Sequence, residues 1–307
     1  MEFIDELKFL KEQLKFKEKI DGAHKFNEIV LAGMGGSGIA GKIFQEIYTE
    51  KPFFVVDDYN IPDFVSKKTL FIGISFSGNT EETLSCTKQA EAKGAHIVTI
   101  SAGGALADHG DQHIRIPRKD LQPRSSTGYM LMPLLNGFGL INKTEIANSY
   151  KLLASLDKDN KECALHAKQI FASNKIPVIF GSYPYKSMAY RWKTQFNENS
   201  KVIAYSNSFP ELNHNDTLAL KYTSNKSKYY FLVIKNQNDR IAKRISVTSQ
   251  ITDTKFNIME PKGRTTIEKL FYTLHYGDYV SYHLGKLRKL DIADVSLISL
   301  LKERMAK

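Results

Sequence analysis

Cysteine is scarce: Cys86 and Cys163 are the only two in 307 residues. Two isolated thiols provide neither a disulfide framework nor the paired spacing of a zinc site. A reducing compartment, the cytoplasm, is therefore expected. No stretch approaches 18 consecutive apolar residues, so the sequence offers no membrane-crossing helix. Residues 1–20 set Glu and Asp among lysines and lack the unbroken apolar core of a secretory leader. Acidic charge is also short, with 33 Asp and Glu against 43 Lys and Arg, a net of +10. The lysines are scattered rather than blocked, and no helix-turn-helix or zinc-finger spacing accompanies them. That pattern speaks against nucleic acid and fits attraction of a small anionic substrate.

What the chain does have is a repeated rhythm of apolar runs and helical patterns. Phe3, Leu7, Leu10 and Leu14 lie near helical period and predict a helix over 3–20. Short apolar runs at 28–32, 53–57, 69–74, 96–100 and 113–116 read as strands, with helices over 39–48 and 80–93 between them. Strands alternating with helices mean a parallel sheet covered on both faces. A polar loop at 117–127 holds Arg124, and an apolar helix is expected over 130–141. The pattern turns charged over 142–161, which sets the expected domains at 1–150 and 151–307. The second half restarts the rhythm, with strands at 177–181, 229–234 and 255–258. Helices are expected over 188–197, 239–251 and 265–287, and an amphipathic helix over 294–305.

Two loops carry chemistry. Gly33-Met-Gly-Gly-Ser-Gly38 follows a strand and matches G-x-G-x-x-G, with Asp57 and Asp58 about 20 residues on, where a dinucleotide's ribose partner would stand. Ser75-Phe-Ser-Gly-Asn-Thr80 follows another strand and offers three hydroxyls just before a helix N-terminus. Free backbone N–H groups and hydroxyls there suit a single terminal phosphate, although a plain helix cap accounts for the same residues. A dinucleotide needs no such second cradle.

Further on, residues 191–216 gather Arg191, Glu198, Lys201, Glu211, His214 and Asp216. A carboxylate and an imidazole near a phosphate grip fit proton transfer on a phosphorylated sugar. Taken singly each has a plainer reading: Glu198 as a helix-end residue, His214 as a structural histidine, Arg124 and Lys302 as solvated charges. His109 and His113 stand four apart without a helix pattern or an acidic third ligand, so no metal site is expected. Cys86 reads as packing within a helix, and Tyr183, Tyr185, Tyr190 and Trp192 as core or interface.

The set Gly-Met-Gly-Gly-Ser-Gly, Ser-Phe-Ser-Gly-Asn-Thr-Glu-Glu-Thr, Pro-Arg-Ser, Phe-Asn-Glu-Asn-Ser-Lys and Phe-Pro-Glu-Leu-Asn-His-Asn resembles the bifunctional phosphoglucose/phosphomannose isomerases of the sugar-isomerase (SIS) superfamily. The resemblance covers the chain from about residue 20 onward. It implies two SIS-type open parallel-sheet α/β units with a C-terminal helix. It also implies metal-free aldose–ketose isomerisation through an enediol, with no cofactor and sugar 6-phosphates as substrates. Gly36, Ser37, Ser75, Ser77 and Thr80 would hold the phosphate. Glu198 would move the proton between C1 and C2, and Arg124 would stabilise the enediolate. His214 would open the ring with Lys302 beside it, the histidine reaching across a homodimer interface.

The chain departs from the family pattern in two places. Ser125, Ser126 and Thr127 follow Arg124, where the family runs into small apolar residues. Ala293-Asp-Val-Ser296 stands where members with both activities carry a small hydroxyl residue that leaves room at C2. Glucose 6-phosphate is thus the first expected substrate and mannose 6-phosphate the second. Two alternatives stay open: a non-catalytic SIS-type sugar-phosphate sensor, and an NAD-dependent oxidoreductase built on the first glycine loop.

Overall fold

The apolar run ending in glycine becomes β1 (Glu28–Gly33), the second strand of a five-stranded parallel sheet. In the computed structural model, which describes residues 2–118 and 120–305, two compact units are distinguished. The first consists of Glu6–Asp157 with Lys262–Tyr272. The second consists of Lys158–Pro261, the described residues from Thr273 onward, and a short N-terminal stub ending at Asp5. The expected domain ends at 1 and 307 fall outside the described residues.

In the first unit the other strands are β2 (Phe53–Val56), β3 (Thr69–Ile74), β4 (His96–Ser101) and β5 (Gln112–Arg115), in the order β2-β1-β3-β4-β5. β3 is buried along its whole length, as expected of a central strand covered on both faces. Helix α3 (Gly35–Ile47) packs on the Leu31 side of β1, where a Cβ on Gly41 would come within 2.6 Å of Leu31. Helix α4 (Glu81–Ala92) sets Cys86 and Ala90 against Val30, Ala32, Phe71 and Ile97 on the opposite face. The chain therefore reverses its direction across the sheet between β1 and β3. In open α/β sheets that reversal leaves a crevice outside the strands' carboxyl ends.

The helix expected over 3–20 is two short pieces, α1 (Phe3–Lys8) and α2 (Leu10–Gln13). Beyond α2 the backbone finds partners elsewhere. The Asn136 amide donates to the carbonyls of Phe16 and Glu18, and the Ile20 N–H donates to Pro133. Both partners lie on α5 (Thr127–Gly137), the helix expected from residue 130. The charged stretch at 142–161 is largely helical, in α6 (Lys143–Lys158) and the start of α7 (Lys161–Ala172). Along α6 only Ser149, Leu153 and Leu156 are buried, too sparse a stripe to announce itself.

In the second unit a four-stranded parallel sheet runs β7-β6-β8-β9: β6 (Ile176–Ser182), β7 (Tyr205–Phe209), β8 (Tyr229–Ile234) and β9 (Phe256–Met259). β7 was not expected. It is an edge strand reading Tyr-Ser-Asn-Ser-Phe with only Phe209 buried, so it lacks the apolar run of its neighbours. Phe180, Phe209, Leu212, Leu220, Val233 and Ile245 form its core. The remaining helices are α8 (Lys186–Ser200), α9 (Asp216–Tyr222), α10 (Asp239–Thr252), α11 (Thr266–Leu287) and α12 (Ser296–Met305).

A buried polar seam joins α8 to the part of α11 in the same unit. Arg191 pairs with Asp278 at 3.1 Å, the two side chains 1% and 5% exposed. The Gln195 amide donates to the same carboxylate, Asn199 donates to the Ser281 hydroxyl, and the Ser200 hydroxyl donates to the Ser281 carbonyl. Trp192 is fully buried and donates to the Thr273 carbonyl at 2.9 Å. Arg191, which the sequence groups with the candidate chemistry, is thus a structural ion. Of the aromatics flagged with it, Tyr185 and Trp192 are core, while Tyr183 and Tyr190 are exposed. Among the described residues no helix is long and apolar enough to cross a membrane.

Candidate active site

The glycines of the first motif form the opening turn of α3, because the helix begins at Gly35 rather than near residue 39. Gly38 has no room for a side chain, since a Cβ there would meet the Gly33 carbonyl oxygen at 2.4 Å. At Gly36 a Cβ would lie 3.1 Å from the Pro123 carbonyl oxygen and 3.3 Å from the Arg124 Cα, so the first loop rests on the Pro-Arg turn. Ser37 is buried, and its hydroxyl accepts from the Phe76 N–H at 3.2 Å. Three loops widely separated in sequence therefore meet at the carboxyl ends of β1 and β3, the adjacent strands that flank the crevice.

The second loop is braced from within. Ser75 and Thr80 share a hydrogen bond between hydroxyls at 2.8 Å, and the Gly78 N–H donates to the Ser75 hydroxyl at 3.1 Å. The Ser77 hydroxyl accepts from the Asn79 N–H, and Ser77 itself is exposed. Helices α3 and α4 both start here, so their free N–H groups and the positive ends of their dipoles face this region. The arrangement can receive a dianionic phosphate.

Arg124 is buried, 3% exposed, in a short 3-10 turn (Pro123–Ser125), and its guanidinium donates to the Gln122 side chain at 3.0 Å. The hydroxyl residues after it, which depart from the family pattern, are absorbed into the fold. The Ser125 carbonyl accepts from Gln13, the Ser126 hydroxyl donates to the Gln122 carbonyl, and Thr127 opens α5.

Glu198, His214 and Lys302 belong to the second unit. Glu198 is half-buried in the last turn of α8, which follows β6. His214 closes a 3-10 turn (Glu211–His214) directly after β7, entered through a cis Phe209–Pro210 bond. In this turn the neighbours are anchored and the histidine is not buried. Leu212 is in the core, Asn213 donates to Thr248 on α10 at 2.7 Å, and the Asn215 side chain caps α9. Asp216 accepts from Asn207 at 2.8 Å. His214 itself is exposed. Lys302 is exposed on α12, a helix with no buried residue.

Other candidates fall away. Among the described residues no group of three or more His, Cys, Asp or Glu side chains could hold a metal ion. Asp57, a ribose partner in the dinucleotide reading, is engaged by Lys42 of α3 at 2.7 Å. Burial pushes the Cys86 thiol up to about 11, so at neutral pH it is not a nucleophile.

The sequence reading missed the Gly103-Gly104 turn after β4, which backs the serine loop. Gly78 sits at φ +73°, and a Cβ there would fall 1.6 Å from the Gly103 carbonyl oxygen. The Asn79 side chain then accepts from the Ala105 N–H at 2.9 Å. A glycine pair at a strand's carboxyl end was the available signal.

Comparison with known proteins finds relatives along the whole chain. The profile of the bacterial phospho-glucose isomerase C-terminal SIS domain matches residues 160–305, and that of the SIS domain matches residues 24–132. A bifunctional phosphoglucose/phosphomannose isomerase from Thermoplasma volcanium is 52% identical over 100% of both chains. One from Thermoplasma acidophilum is 51% identical over 100% of this chain and 98% of its own. Among solved structures, glucosamine-6-phosphate deaminase from Thermotoga maritima superposes with a TM-score of 0.72 at 15% identity, covering 94% of each chain, a likeness of fold.

Proposed function

The chain belongs to the bifunctional phosphoglucose/phosphomannose isomerase family, and on that premise we propose that it interconverts glucose 6-phosphate and fructose 6-phosphate, and mannose 6-phosphate and fructose 6-phosphate. The oxidoreductase and sensor readings are not favoured by its relatives. In residues 1–150, Gly36, Ser37, Ser75, Ser77 and Thr80 grip the phosphate, and Arg124 stabilises the enediolate with a charge that stays on at any working pH. In residues 151–307 lie the proton-transfer groups. Glu198 takes the C2 proton of the open-chain aldose and returns it at C1, while O2 loses a proton and O1 gains one. His214, with Lys302, opens the ring by giving a proton to the ring oxygen as the C1 hydroxyl loses its own.

The observation that carries the reading is the joining of the first, second and Pro-Arg loops at one crevice, through Ser37 on Phe76 and Gly36 on Arg124. We also propose a cytoplasmic homodimer in which His214 serves the partner copy. Leu218 and Tyr222, on the helix that follows His214, are 67% and 79% exposed, and a second copy would cover them.

The test is a coupled assay with glucose 6-phosphate and mannose 6-phosphate supplied separately, EDTA present, following fructose 6-phosphate. Turnover of both supports the dual reading. Turnover of glucose 6-phosphate alone restricts it, and binding of fructose 6-phosphate without turnover of either removes the enzyme reading.

A further inference from the structure

The last turn of α8 ends on Lys201, a lysine in a left-handed conformation (φ 52°, ψ 40°). Glycine is the usual residue at such a helix end, because every L side chain is disfavoured there. A lysine in that place needs a reason in its side chain, and the side chain supplies one. Its ammonium donates to the Glu198 carbonyl at 2.7 Å and to the Asp294 carbonyl at 2.7 Å. The first acceptor is one of the carbonyls that a helix leaves unpaired at its end, where the dipole favours a cation. The second lies in the segment that leads into α12. Asp294 is also the residue whose carboxylate accepts from the Ser296 N–H at 2.9 Å, at the first residue of α12. The Ser296 N–H and hydroxyl hold that carboxyl below the usual carboxylate range.

One ammonium therefore clasps the backbone of the residue proposed as base and that of the residue whose carboxylate holds the first N–H of the helix bearing Lys302. Around it the end of α8 is fixed from another side. Asn199 and Ser200 bond to Ser281, and Gly285 of α11 lies so close that a Cβ would meet the Asn199 carbonyl oxygen at 2.5 Å and Ile292 at 3.0 Å. The seam fixes α8 against α11, and Lys201 reaches from the Glu198 carbonyl to the start of α12. We infer that Lys201 is a positioning residue for the isomerisation: its two carbonyl bonds hold the Glu198 turn and the root of α12 in one register, so that the proton-moving carboxylate and the Lys302 helix keep a fixed relation. The inference rests on the roles proposed for Glu198 and Lys302. Misplacing a reacting group by about 1 Å can cost about 100-fold in rate, so a clasp of this kind is felt in turnover.

Lys201→Gly separates positioning from stability, because glycine relieves the left-handed backbone while deleting the ammonium. The expected result is an equal or higher Tm, kcat lower by about 10- to 100-fold, and KM within about twofold of the parent, since the phosphate grip is untouched. Lys201→Arg, which can still donate to both carbonyls, should recover most of the lost kcat. Glu198→Gln is measured alongside. Wild-type kcat in Lys201→Gly beside an inactive Glu198→Gln overturns the clasp alone. Undiminished turnover in Glu198→Gln overturns the base, and the clasp with it. A fall in Tm that accounts for the lost activity, or a loss that appears in KM rather than kcat, also overturns the clasp.

Discussion

The serine loop after β3 and the histidine turn after β7 are both carboxyl-end loops of parallel sheets, yet they are built on opposite plans. In the serine loop the candidate groups hold one another: Ser75 bonds Thr80, Ser77 bonds Asn79, and Gly78 is pressed on the Gly103 carbonyl. In the histidine turn the His214 side chain makes no hydrogen bond among the described residues, while Leu212, Asn213, Asn215 and Asp216 on either side are fastened to the sheet and helices. A phosphate grip gains from fixed dipoles that need no rearrangement when the anion arrives. A proton donor gains from being presented outward on a rigid base, able to meet its target. On the proposed roles, losses in the serine loop should damage both fold and phosphate grip, and loss of His214 the reaction alone.

That separation can be pressed hardest at Glu198. Glu198→Gln should lower kcat by about 1,000-fold, or about 4 kcal/mol of barrier, with Tm within a degree or so of the parent by thermal denaturation. A large drop in Tm would move Glu198 to the structural side. Gly78→Ala should do the reverse. It combines a left-handed backbone with a clash on Gly103, and about 2–4 kcal/mol of stability should be lost, together with a raised KM for fructose 6-phosphate. Urea unfolding and steady-state kinetics check both parts, and an unaffected KM would separate the loop from the phosphate. His214→Ala should leave urea stability unchanged while slowing ring-closed substrate about 10- to 100-fold. Open-chain substrate should be spared, and an equal loss on both would count against ring opening.

The smallest effect concerns acid. Burial holds the His166 imidazole below its ordinary value, with Nδ1 bonded to the Tyr230 hydroxyl at 2.8 Å, and burial does the same to His283 with help from Lys168. A histidine depressed in the folded state is protonated first in the unfolded chain. Stability is therefore level above about pH 6.5 and falls as pH drops below it, by at most about 1.4 kcal/mol per pH unit for each histidine. Tm measured from pH 7.5 to 5 should decline over the acid end, and His166→Gln should make that decline shallower. An unchanged slope would remove His166 as a source.

The fold and the grip were legible to different depths. β1, β3 and β4 stand out because central strands buried on both faces read as nearly continuous apolar runs, and the two candidate loops because glycines and hydroxyls gather at strand ends. β7 was hidden because an edge strand in this sheet buries only Phe209 and otherwise reads as a polar loop. The helices over 142–161 were hidden because their buried stripe is sparse. Arg191 was grouped with the chemistry because charge alone does not tell a buried ion from an exposed one, and Asp278 lies 87 positions away.

By itself the sequence determined the alternation of strand and helix and the parallel sheets, and it offered a candidate phosphate grip with a carboxylate and an imidazole. These are local properties: apolar period, turn chemistry and residue type are written along the chain. Only the tertiary structure decided which loops share the crevice at β1 and β3, that Gly103 backs Gly78, and that Lys201 bonds a carbonyl 93 positions away. Those outcomes depend on contacts between segments distant in sequence, and a backbone carbonyl as a partner leaves no trace in residue identity.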